Sequence, residues 1–320
     1  MVMQKNKKYD IVGIGNAIVD LIAEVDDSYL KKNTITKGSM SLVDYDVANR
    51  IGNEVNVIRT ISGGSVANSI VSIAQQNLKT AFIGKVNQDE LGEKFSQGLK
   101  KEKVEFKITK SSTNKYTARC MILVSPDAER TMNTYLGISQ ELTEEDIEFS
   151  VVENSSILYL EGYLWDLVNA KKAIKKSILA AKNSETMVAL SISDAFCVNR
   201  FREEFLDLIN NSVDLIFANE SEIKSLYETS ELDIAIKKCQ ETSKIFAVTL
   251  GEKGAKIVHK DETVNIKAEK IDKLVDTTGA GDLFAAGFLT EYIRSRDLES
   301  SGKLGVKMAS IIIQQFGARI

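Results

Sequence analysis

The apolar positions in the first half of the chain alternate between strand-like and helix-like spacing. Two extended apolar stretches, residues 9–15 and 18–25, predict strands. Between residues 64 and 76 the apolar positions recur at intervals of three and four, which predicts a helix with one buried face, and residues 80–86 predict a buried strand after it. The next expected elements are a polar helix at residues 89–101 and strands at 104–110, 116–125 and 130–135.

From residue 157 onward, predicted strands and helices follow one another regularly. The strands are expected at residues 157–160, 186–191, 213–217 and 245–249, and the helices at 166–181, 201–210 and 220–227. Such alternation requires crossover connections and gives a parallel sheet with helices on both faces. The last expected elements are a strand at 255–259, its hairpin partner at 263–266, and helices at 280–295 and 302–316. The predicted fold class is α/β, with a Rossmann-like, mostly parallel sheet flanked by helices.

No boundary divides the sequence into separate domains. It has no internal repeat and no Pro- or Ser-rich linker, and its one proline, Pro126, lies in a predicted turn. We therefore expect one domain over residues 1–320. Extended segments within about residues 16–60 and 104–135 fall outside the alternating pattern, and we expect them to project from the main sheet as a small β-sheet lid.

Composition narrows the possible partners. The net charge is −4, from 41 Lys and Arg against 45 Asp and Glu, so no overall positive field recruits nucleic acid, and a small molecule is the expected partner. The three cysteines form no C-x-x-C pair, which supports neither a disulfide framework nor a zinc site and favours the cytoplasm. No secretion signal opens the sequence, and no apolar run approaches the roughly 18 residues that cross a bilayer. The sequence does not decide between a monomer and a homodimer.

The richest chemistry lies at residues 276–282, which read D-T-T-G-A-G-D between an extended run and an apolar helix. The turn contains Gly279, Ala280 and Gly281, whose small side chains let main-chain N–H groups approach a ligand. The first turn of the helix adds unsatisfied donors and a partial positive charge, so it suits an anion. Asp282 could then accept the proton of a hydroxyl beside that anion. Phosphoryl transfer needs this combination of anion site and base.

Asp282 also has a simpler interpretation. Aspartate is favoured in the first turn of any helix, where it complements the helix dipole. The same helix N-terminus is expected to lower the pKa of this carboxyl, which would keep Asp282 ionised but make it a weak base. The residue alone does not decide between catalysis and helix stabilisation.

Companion motifs favour catalysis. D-T-T-G-A-G-D followed by a small-residue helix resembles the C-terminal signature of the ribokinase or PfkB carbohydrate kinase family. Residues 63–68, G-G-S-V-A-N, and residues 84–92, G-K-V-N-Q-D-E-L-G, resemble the N-terminal signature of that family. The resemblance covers nearly the whole chain. It implies an ATP-dependent kinase with a ribokinase-like fold and a small β lid, in which Asp282 is the catalytic base and the amides of residues 279–281 hold the transferred group.

Asn16 and Asp20 are the first candidates for substrate binding. They lie four residues apart in an expected extended stretch and hence on one face, where an amide and a carboxylate could bind adjacent hydroxyls. The resemblance implies that they bind substrate together with Gly64 and Asn68. The alternative is a turn asparagine and a solvated aspartate.

Two other nucleotide motifs fail. The Gly13-x-Gly15 pair has Ile18 at the third glycine position of a dinucleotide fingerprint, and no G-x-x-x-x-G-K-[ST] string exists. NAD binding and a P-loop are therefore not expected.

The resemblance also implies sites for ATP and cations. It assigns ATP contacts to Asn219, Thr249, Gly251 and Gly254, the last three in a turn after a strand of the expected parallel sheet. Residues 219–222 match the Asn-x-x-Glu element of the family, in which Glu222 would organise Mg²⁺ through water; locally it could equally be an acidic helix start. Asp276 and Thr278 are the residues that would hold a monovalent cation such as K⁺. Arg130 would reach substrate or phosphate unless it is a surface arginine.

The acceptor is less certain than the reaction. Residues 15–20, 129–137 and 193–197 look most like the adenosine-kinase-like branch of the family, which implies conversion of adenosine to AMP. Fructose, ribose, ketodeoxygluconate and other nucleosides stay open, because small pocket differences decide among them. A protein that binds nucleotide or sugar without catalysis is the alternative of another class.

Overall fold

The computed structural model describes residues 7–111, 113–127 and 129–319. Residues 1–6, 112, 128 and 320 of the predicted domain lie outside the described residues. The strands are β1 (Tyr9–Ile14), β2 (Ile18–Glu24), β3 (Met40–Leu42), β4 (Val57–Gly63), β5 (Thr80–Asn87), β6 (Glu105–Ser111), β7 (Ala118–Val124), β8 (Arg130–Tyr135), β9 (Ser155–Glu161), β10 (Met187–Ser191), β11 (Leu215–Asn219), β12 (Ile245–Thr249), β13 (Ala255–His259) and β14 (Glu262–Ile266). The α-helices are α1 (Asp27–Lys32), α2 (Tyr45–Glu54), α3 (Ser65–Gln75), α4 (Glu90–Lys101), α5 (Phe149–Glu153), α6 (Val168–Asn183), α7 (Ala195–Asn211), α8 (Glu220–Leu226), α9 (Leu232–Gln240), α10 (Ala280–Ser295) and α11 (Leu298–Ile312).

The large sheet has nine strands in the order β14-β13-β12-β11-β10-β9-β1-β5-β6. Every neighbouring pair from β12 to β6 is parallel, and β13 and β14 form an antiparallel hairpin at one edge. Two apolar cores cover its faces, one containing Val66, Phe284 and Val306 from α3, α10 and α11, the other Ile174 and Phe205 from α6 and α7. The predicted α/β fold class is confirmed.

The small sheet has five strands in the order β3-β8-β7-β2-β4. Side chains alternate along β2, so its two faces differ. Val19 and Leu21 face the main apolar core, whereas Ile22 belongs to a separate small cluster with Cys120 and Ile122. One face of the small sheet is therefore fixed to the body of the protein, and the other face carries only its own apolar cluster.

The strand order reverses at β1, because β5 lies on one side of it and β9 on the other. In open α/β sheets, a crevice forms outside the carboxyl ends of the strands at such a reversal, and ligands bind there. Ile14 pairs with Leu160, so Gly15 and Glu161 follow side by side at this edge. The fold thus places the region after β1 and β9 where a site is expected.

Several expectations need correction. β6 pairs in parallel with β5 in the large sheet, so the prediction that residues 104–135 all belong to the small sheet is wrong for this strand. Helix α7 begins at Ala195, where the Asp194 carboxylate accepts from the Cys197 N–H at 2.6 Å and caps the helix, and a kink at Phe201 separates this added part from the predicted helix at 201–210. Helix α9 was not predicted. Among the described residues, no helix is long and apolar enough to cross a membrane.

Candidate active site

Asp282 lies in the first turn of α10, against the first turns of α3. The Ser65 hydroxyl donates to Asp282 Oδ1 at 2.7 Å, and the Asn68 amide donates to Asp282 Oδ2 at 3.0 Å. The Ser69 hydroxyl donates to the Asp282 carbonyl at 2.9 Å. The two sequence signatures, more than two hundred residues apart, therefore meet at one carboxylate.

The environment of Asp282 acts on its pKa in two directions. Burial, the largest effect, raises the pKa of this carboxyl, while the donors Asn68 and Ser65 and the charge of Arg319 oppose the rise. The net direction is upward, so the prediction that the helix N-terminus would lower this pKa is wrong. Desolvation dominates because the carboxylate lies against the first turns of α3, although the residue is partly exposed. A raised pKa makes Asp282 a stronger base.

In the glycine turn before Asp282, a side chain would collide with its surroundings at Gly279 but not at Gly281. Gly279 has φ +79°, and a Cβ there would lie 2.7 Å from Ala318, so only glycine fits without strain. A Cβ at Gly281 would meet nothing within 4 Å. The Ala280 N–H donates to the Thr277 carbonyl at 3.1 Å, whereas the N–H groups of Gly281 and Asp282 have no partner in the described part of the chain. Two free donors at a helix N-terminus suit an anion.

Asp276 is buried beneath this turn, and its carboxylate is fully engaged. It accepts from the Thr278 N–H at 2.9 Å, from the Gly317 N–H at 3.0 Å and from the Arg130 guanidinium. Arg130 comes from β8 of the small sheet, and its side chain is nearly buried, so it is not a surface arginine. A monovalent cation at Asp276 and Thr278 stays a prediction, and it would have to displace the positive charge of Arg130.

Asn16 and Asp20 do not share one strand. Asn16 lies in the connection after β1, and Asp20 lies within β2. Both nevertheless border the Gly63-Gly64 turn: a Cβ at Gly64, where φ is +101°, would collide with the Asn16 carbonyl, and a Cβ at Gly63 would collide with the Asp20 carboxylate. The prediction that one extended stretch aligns the two side chains is wrong, and a close glycine turn brings them together instead.

Glu161, at the end of β9, holds Asn16. Its buried carboxylate accepts from the Asn16 main-chain N–H at 2.9 Å, from the Asn16 side-chain amide at 2.7 Å and from the Val66 N–H at 3.1 Å. A carboxylate has no donor, so it forces the Asn16 Nδ2 toward itself and turns Oδ1 away. Asn16 Oδ1 is buried without a hydrogen-bond partner among the described residues. This orphan acceptor fits the hydroxyl of a ligand.

Burial raises the pKa of both acids on this side of the site. It raises the pKa of Glu161 to about 7, against the three donated hydrogen bonds. It raises the pKa of Asp20 to about 6, against the positive charges of Arg319 and Arg130. Clustered carboxyls with perturbed pKa values in a crevice are typical of functional sites.

The predicted nucleotide residues lie farther along the same sheet edge. Asn219 and Thr249 are register partners at the carboxyl ends of β11 and β12. Asn219 and Glu222 form a capping box: the Glu222 carboxylate accepts from the Asn219 N–H at 2.9 Å and from its side-chain amide at 2.5 Å. Gly251 and Gly254, at φ +59° and +91°, shape the exposed turn after β12.

The acidic residues offer little to a directly bound metal. Within the described ranges, no group of three or more His, Cys, Asp or Glu side chains is arranged to hold a metal ion. Glu222 is buried, and burial raises its pKa to about 7. Its oxygens have lone pairs beyond those that Asn219 occupies, so the carboxylate could accept from water, and the contact with Mg²⁺ through water stays a prediction.

Four residues at the site were missed as site residues in the sequence. Ser65, within the G-G-S-V-A-N motif, contacts Asp282, and Glu161 follows an apolar strand at the carboxyl edge of the sheet, which is a usable signal. Tyr163 lies within electrostatic reach of Asp282 and Glu222. Arg319 donates to Asn68 and Ser62, and nothing in its local sequence points to a site.

Comparison with known proteins agrees with this geometry. A family model described as "pfkB family carbohydrate kinase" matches residues 10–320. The crystal structure of adenosine kinase from Sinorhizobium meliloti has 44% identity and a TM-score of 0.89, and the match covers 98% of this chain and 96% of that one. The structure of a probable sugar kinase from Rhizobium etli CFN 42 has 42% identity and a TM-score of 0.90, covering 98% and 95%. Adenosine kinase 2 of Arabidopsis thaliana is 26% identical over 98% of this chain and 97% of its own length.

Proposed function

The chain belongs to the pfkB family of carbohydrate kinases, and from that premise we propose that it phosphorylates the 5′-hydroxymethyl group of adenosine to give AMP. The chain is a kinase, and its family uses ATP as the phosphate donor, usually with Mg²⁺. The proposal concerns the acceptor. Relatives with names as different as adenosine kinase and ribokinase match the chain, so the acceptor has to be argued from the site.

The face of the small sheet that carries its own apolar cluster supports the argument for a nucleoside. On β2, the side chains of Ile18, Asp20 and Ile22 share one face, and Asp20 pairs across the sheet with Ile61. The apolar side chains on this face are Ile18, Ile22, Ile61, Cys120, Ile122, Val124 and Met132. A ribose or fructose has polar groups on almost every carbon, whereas a purine adds a flat, largely apolar surface beside its sugar. A carboxylate bordered by an apolar patch supports a ligand with both parts.

The polar residues beside the Gly63-Gly64 turn support a ribose in the same ligand. Asn16 Oδ1 is an acceptor without a partner among the described residues, and Asp20 offers a carboxylate next to the same glycine turn. We assign these two side chains, with Gly64 and Asn68, to the ribose hydroxyls. The acceptor hydroxyl then lies at Asp282.

Asp282 orients this hydroxyl and takes its proton as the phosphorus–oxygen bond forms and ADP leaves. The free N–H groups of Gly281 and Asp282 stabilise the charge on the transferred phosphoryl group. Asn219, Thr249, Gly251 and Gly254 form the nucleotide side, and Glu222 would hold Mg²⁺ through its waters. When bound, Mg²⁺ neutralises charge on the phosphates. Lid movement is not required for this assignment.

The test is an ADP-release assay with ATP and Mg²⁺ across adenosine, inosine, ribose, fructose and ketodeoxygluconate. Adenosine should give the highest kcat/KM. Equal or better turnover of a free sugar would reject the nucleoside proposal and leave the kinase.

A matched pair of variants on β4 tests the role of the apolar face. Ile61→Thr changes the face of the small sheet that carries Asp20 and the apolar cluster. Ile58→Thr makes the same change three residues away, at a position that is 55% exposed. The KM for adenosine should rise about tenfold in Ile61→Thr, because one buried apolar side chain in a pocket contributes roughly 1–3 kcal/mol. Ile58→Thr should leave it unchanged. Equal effects of the two substitutions would contradict the assignment.

A further inference from the structure

The segment that follows α11 lies along the glycine turn of the active site. The main-chain N–H groups of Val275 and Asp276 donate to the Ile313 carbonyl at 2.8 and 3.1 Å. The Gly317 N–H donates to the Asp276 carboxylate at 3.0 Å, and Ala318 lies against Gly279. The backbone of residues 313–318 is thus fixed relative to the turn that precedes Asp282.

This segment directs Arg319 toward the acceptor side of the site. Arg319 Nε donates to Asn68 Oδ1 at 3.0 Å, and Arg319 Nη1 donates to the Ser62 hydroxyl at 2.8 Å. The third nitrogen, Nη2, is buried without a partner in the described part of the chain. The guanidinium therefore ties the C-terminal segment to the loop that carries the N-terminal signature.

Arg319 also determines the orientation of Asn68. A guanidinium has only donors and a carboxylate has only acceptors. Asn68 lies between the two, with Oδ1 on Arg319 and Nδ2 on Asp282 at 3.0 Å. Reversing the amide would set donor against donor and acceptor against acceptor. One orientation of Asn68 is thus enforced, and with it one donor to the catalytic carboxylate.

The charge of Arg319 acts on two acids. Asp20 from β2 and Asp282 from α10 repel one another, and Arg319 attracts both. Other groups that face Asp282 are Glu161 and Tyr159 from β9 and Tyr163 from the turn that follows. Among the described residues, Arg319 is the cation whose charge lowers the pKa of Asp282. Burial lowers the pKa of Arg319 itself to about 10, so it stays charged near neutral pH.

We propose that Arg319 is a positioning residue for phosphoryl transfer: it fixes the Asn68 side chain against Asp282 and ties the C-terminal segment to Ser62 at the end of β4. Asp282 takes the acceptor proton, and Arg319 acts through Asn68. The inference rests on the proposed role of Asp282 but not on the identity of the acceptor.

Two variants separate the directed hydrogen bonds of Arg319 from its positive charge. Arg319→Ala removes both, and Arg319→Lys keeps the charge but cannot make two directed contacts. Both should lower kcat about tenfold to a hundredfold, because Asn68 loses its fixed orientation, while the KM for ATP should stay near its wild-type value. The acid limb of the pH profile of kcat/KM should move to higher pH in Arg319→Ala only, because the missing charge lets the pKa of Asp282 rise. Added guanidinium ion should partly restore Arg319→Ala.

The measurement uses whichever acceptor the wild-type protein turns over best, so the result does not depend on whether that acceptor is adenosine. Arg294→Ala is the control, since Arg294 makes a comparable 2.6 Å bond to the Gln76 carbonyl away from the site. Thermal melting of each variant separates loss of folding from loss of function, and Arg319→Lys serves if Arg319→Ala fails to fold. Wild-type kcat and pH profile in folded Arg319→Ala, or equal losses in Arg294→Ala, would overturn the proposal.

Discussion

On one side of Asp282, the residues assigned to the acceptor are held by buried side-chain hydrogen bonds; on the other, the turns assigned to the nucleotide face solvent. Glu161 binds Asn16 in one buried cluster, and Asn68 binds Asp282 and Arg319 in a second. Gly251 and Gly281 are exposed, and a Cβ at either would meet nothing within 4 Å. The acceptor side depends on particular side chains, and the nucleotide side depends mainly on main-chain donors. The acceptor side should therefore tolerate substitution poorly. The nucleotide side should tolerate it wherever the new residue does not strain the backbone.

The largest expected effect is that of Asp282→Asn, at the boundary between the two sides. It should lower kcat by about a thousandfold, because the acceptor hydroxyl loses its base, while ATP binding stays within a few-fold of wild type. Single-turnover kinetics and a nucleotide titration would measure the two effects.

Asp297→Asn is the matched control, because Asp297 caps α11 by accepting from the Ser300 N–H at 2.7 Å and lies outside the site. Near-normal turnover of Asp282→Asn would return Asp282 to the simpler role of a helix-terminal aspartate.

A second test concerns the network of the acceptor side. The folded-state pKa of Glu161, about 7, lies above its ordinary value of 4.5, so the stability gained from its proton is complete below pH 4.5 and is lost as pH rises through 7. The free energy of unfolding should therefore fall across this interval, by on the order of 3 kcal/mol from this group. Urea denaturation at a series of pH values would measure the fall.

In Glu161→Gln the fall should be smaller by the share of this group, while the raised pKa values of Glu222 and Asp20 keep the remainder. Glu299→Gln, an exposed change on α11, should keep the wild-type slope. Identical slopes in wild type and Glu161→Gln would show that the network does not raise this pKa.

The smallest effects come from a pair of glycines in one turn. Gly279→Ala should lower the free energy of unfolding by about 1–2 kcal/mol or more, from the left-handed backbone and the contact with Ala318. Gly281→Ala should leave stability unchanged and raise the KM for ATP modestly, because its methyl group enters open space beside the free N–H groups. Chemical denaturation and steady-state kinetics measure both. A stability loss in Gly281→Ala would contradict the assignment of that position to the open side.

The sequence predicted those parts of the fold that have a strong local period. Alternating strands and helices after residue 157 gave the parallel sheet, and the glycine motif gave the turn before Asp282. Helix α9 was not predicted although Leu232, Ala235, Ile236 and Cys239 have helical spacing, because a periodic run of only nine residues, Leu232–Gln240, is too short to be distinctive. The position of β6 was missed because strand periodicity does not reveal which sheet a strand joins.

The candidate site residues divide in the same way, into those that a local sequence motif contains and those that it does not. Asp282, Asn16 and Asn68 were predicted through local motifs and their resemblance to a family. Arg319 contacts a residue 251 positions away in the sequence, and Glu161 contacts one 145 positions away. No local sequence pattern spans such separations. The pKa of Asp282 was predicted in the wrong direction, because a motif shows the helix end but not the burial of the carboxylate against α3.

The pairing of distant segments at Asp282 also bears on how the protein is made. Asn68 meets Asp282 across 214 positions of sequence, and Ser62 meets Arg319 across 257. During translation the N-terminal signature leaves the ribosome long before its partners exist, and contacts of such separation close late in folding. A chain interrupted before residue 282 can carry the small sheet and the N-terminal signature, yet it lacks the proposed base and is expected to be inactive. Activity per mole of protein therefore reports the fraction of molecules whose synthesis and folding were both completed.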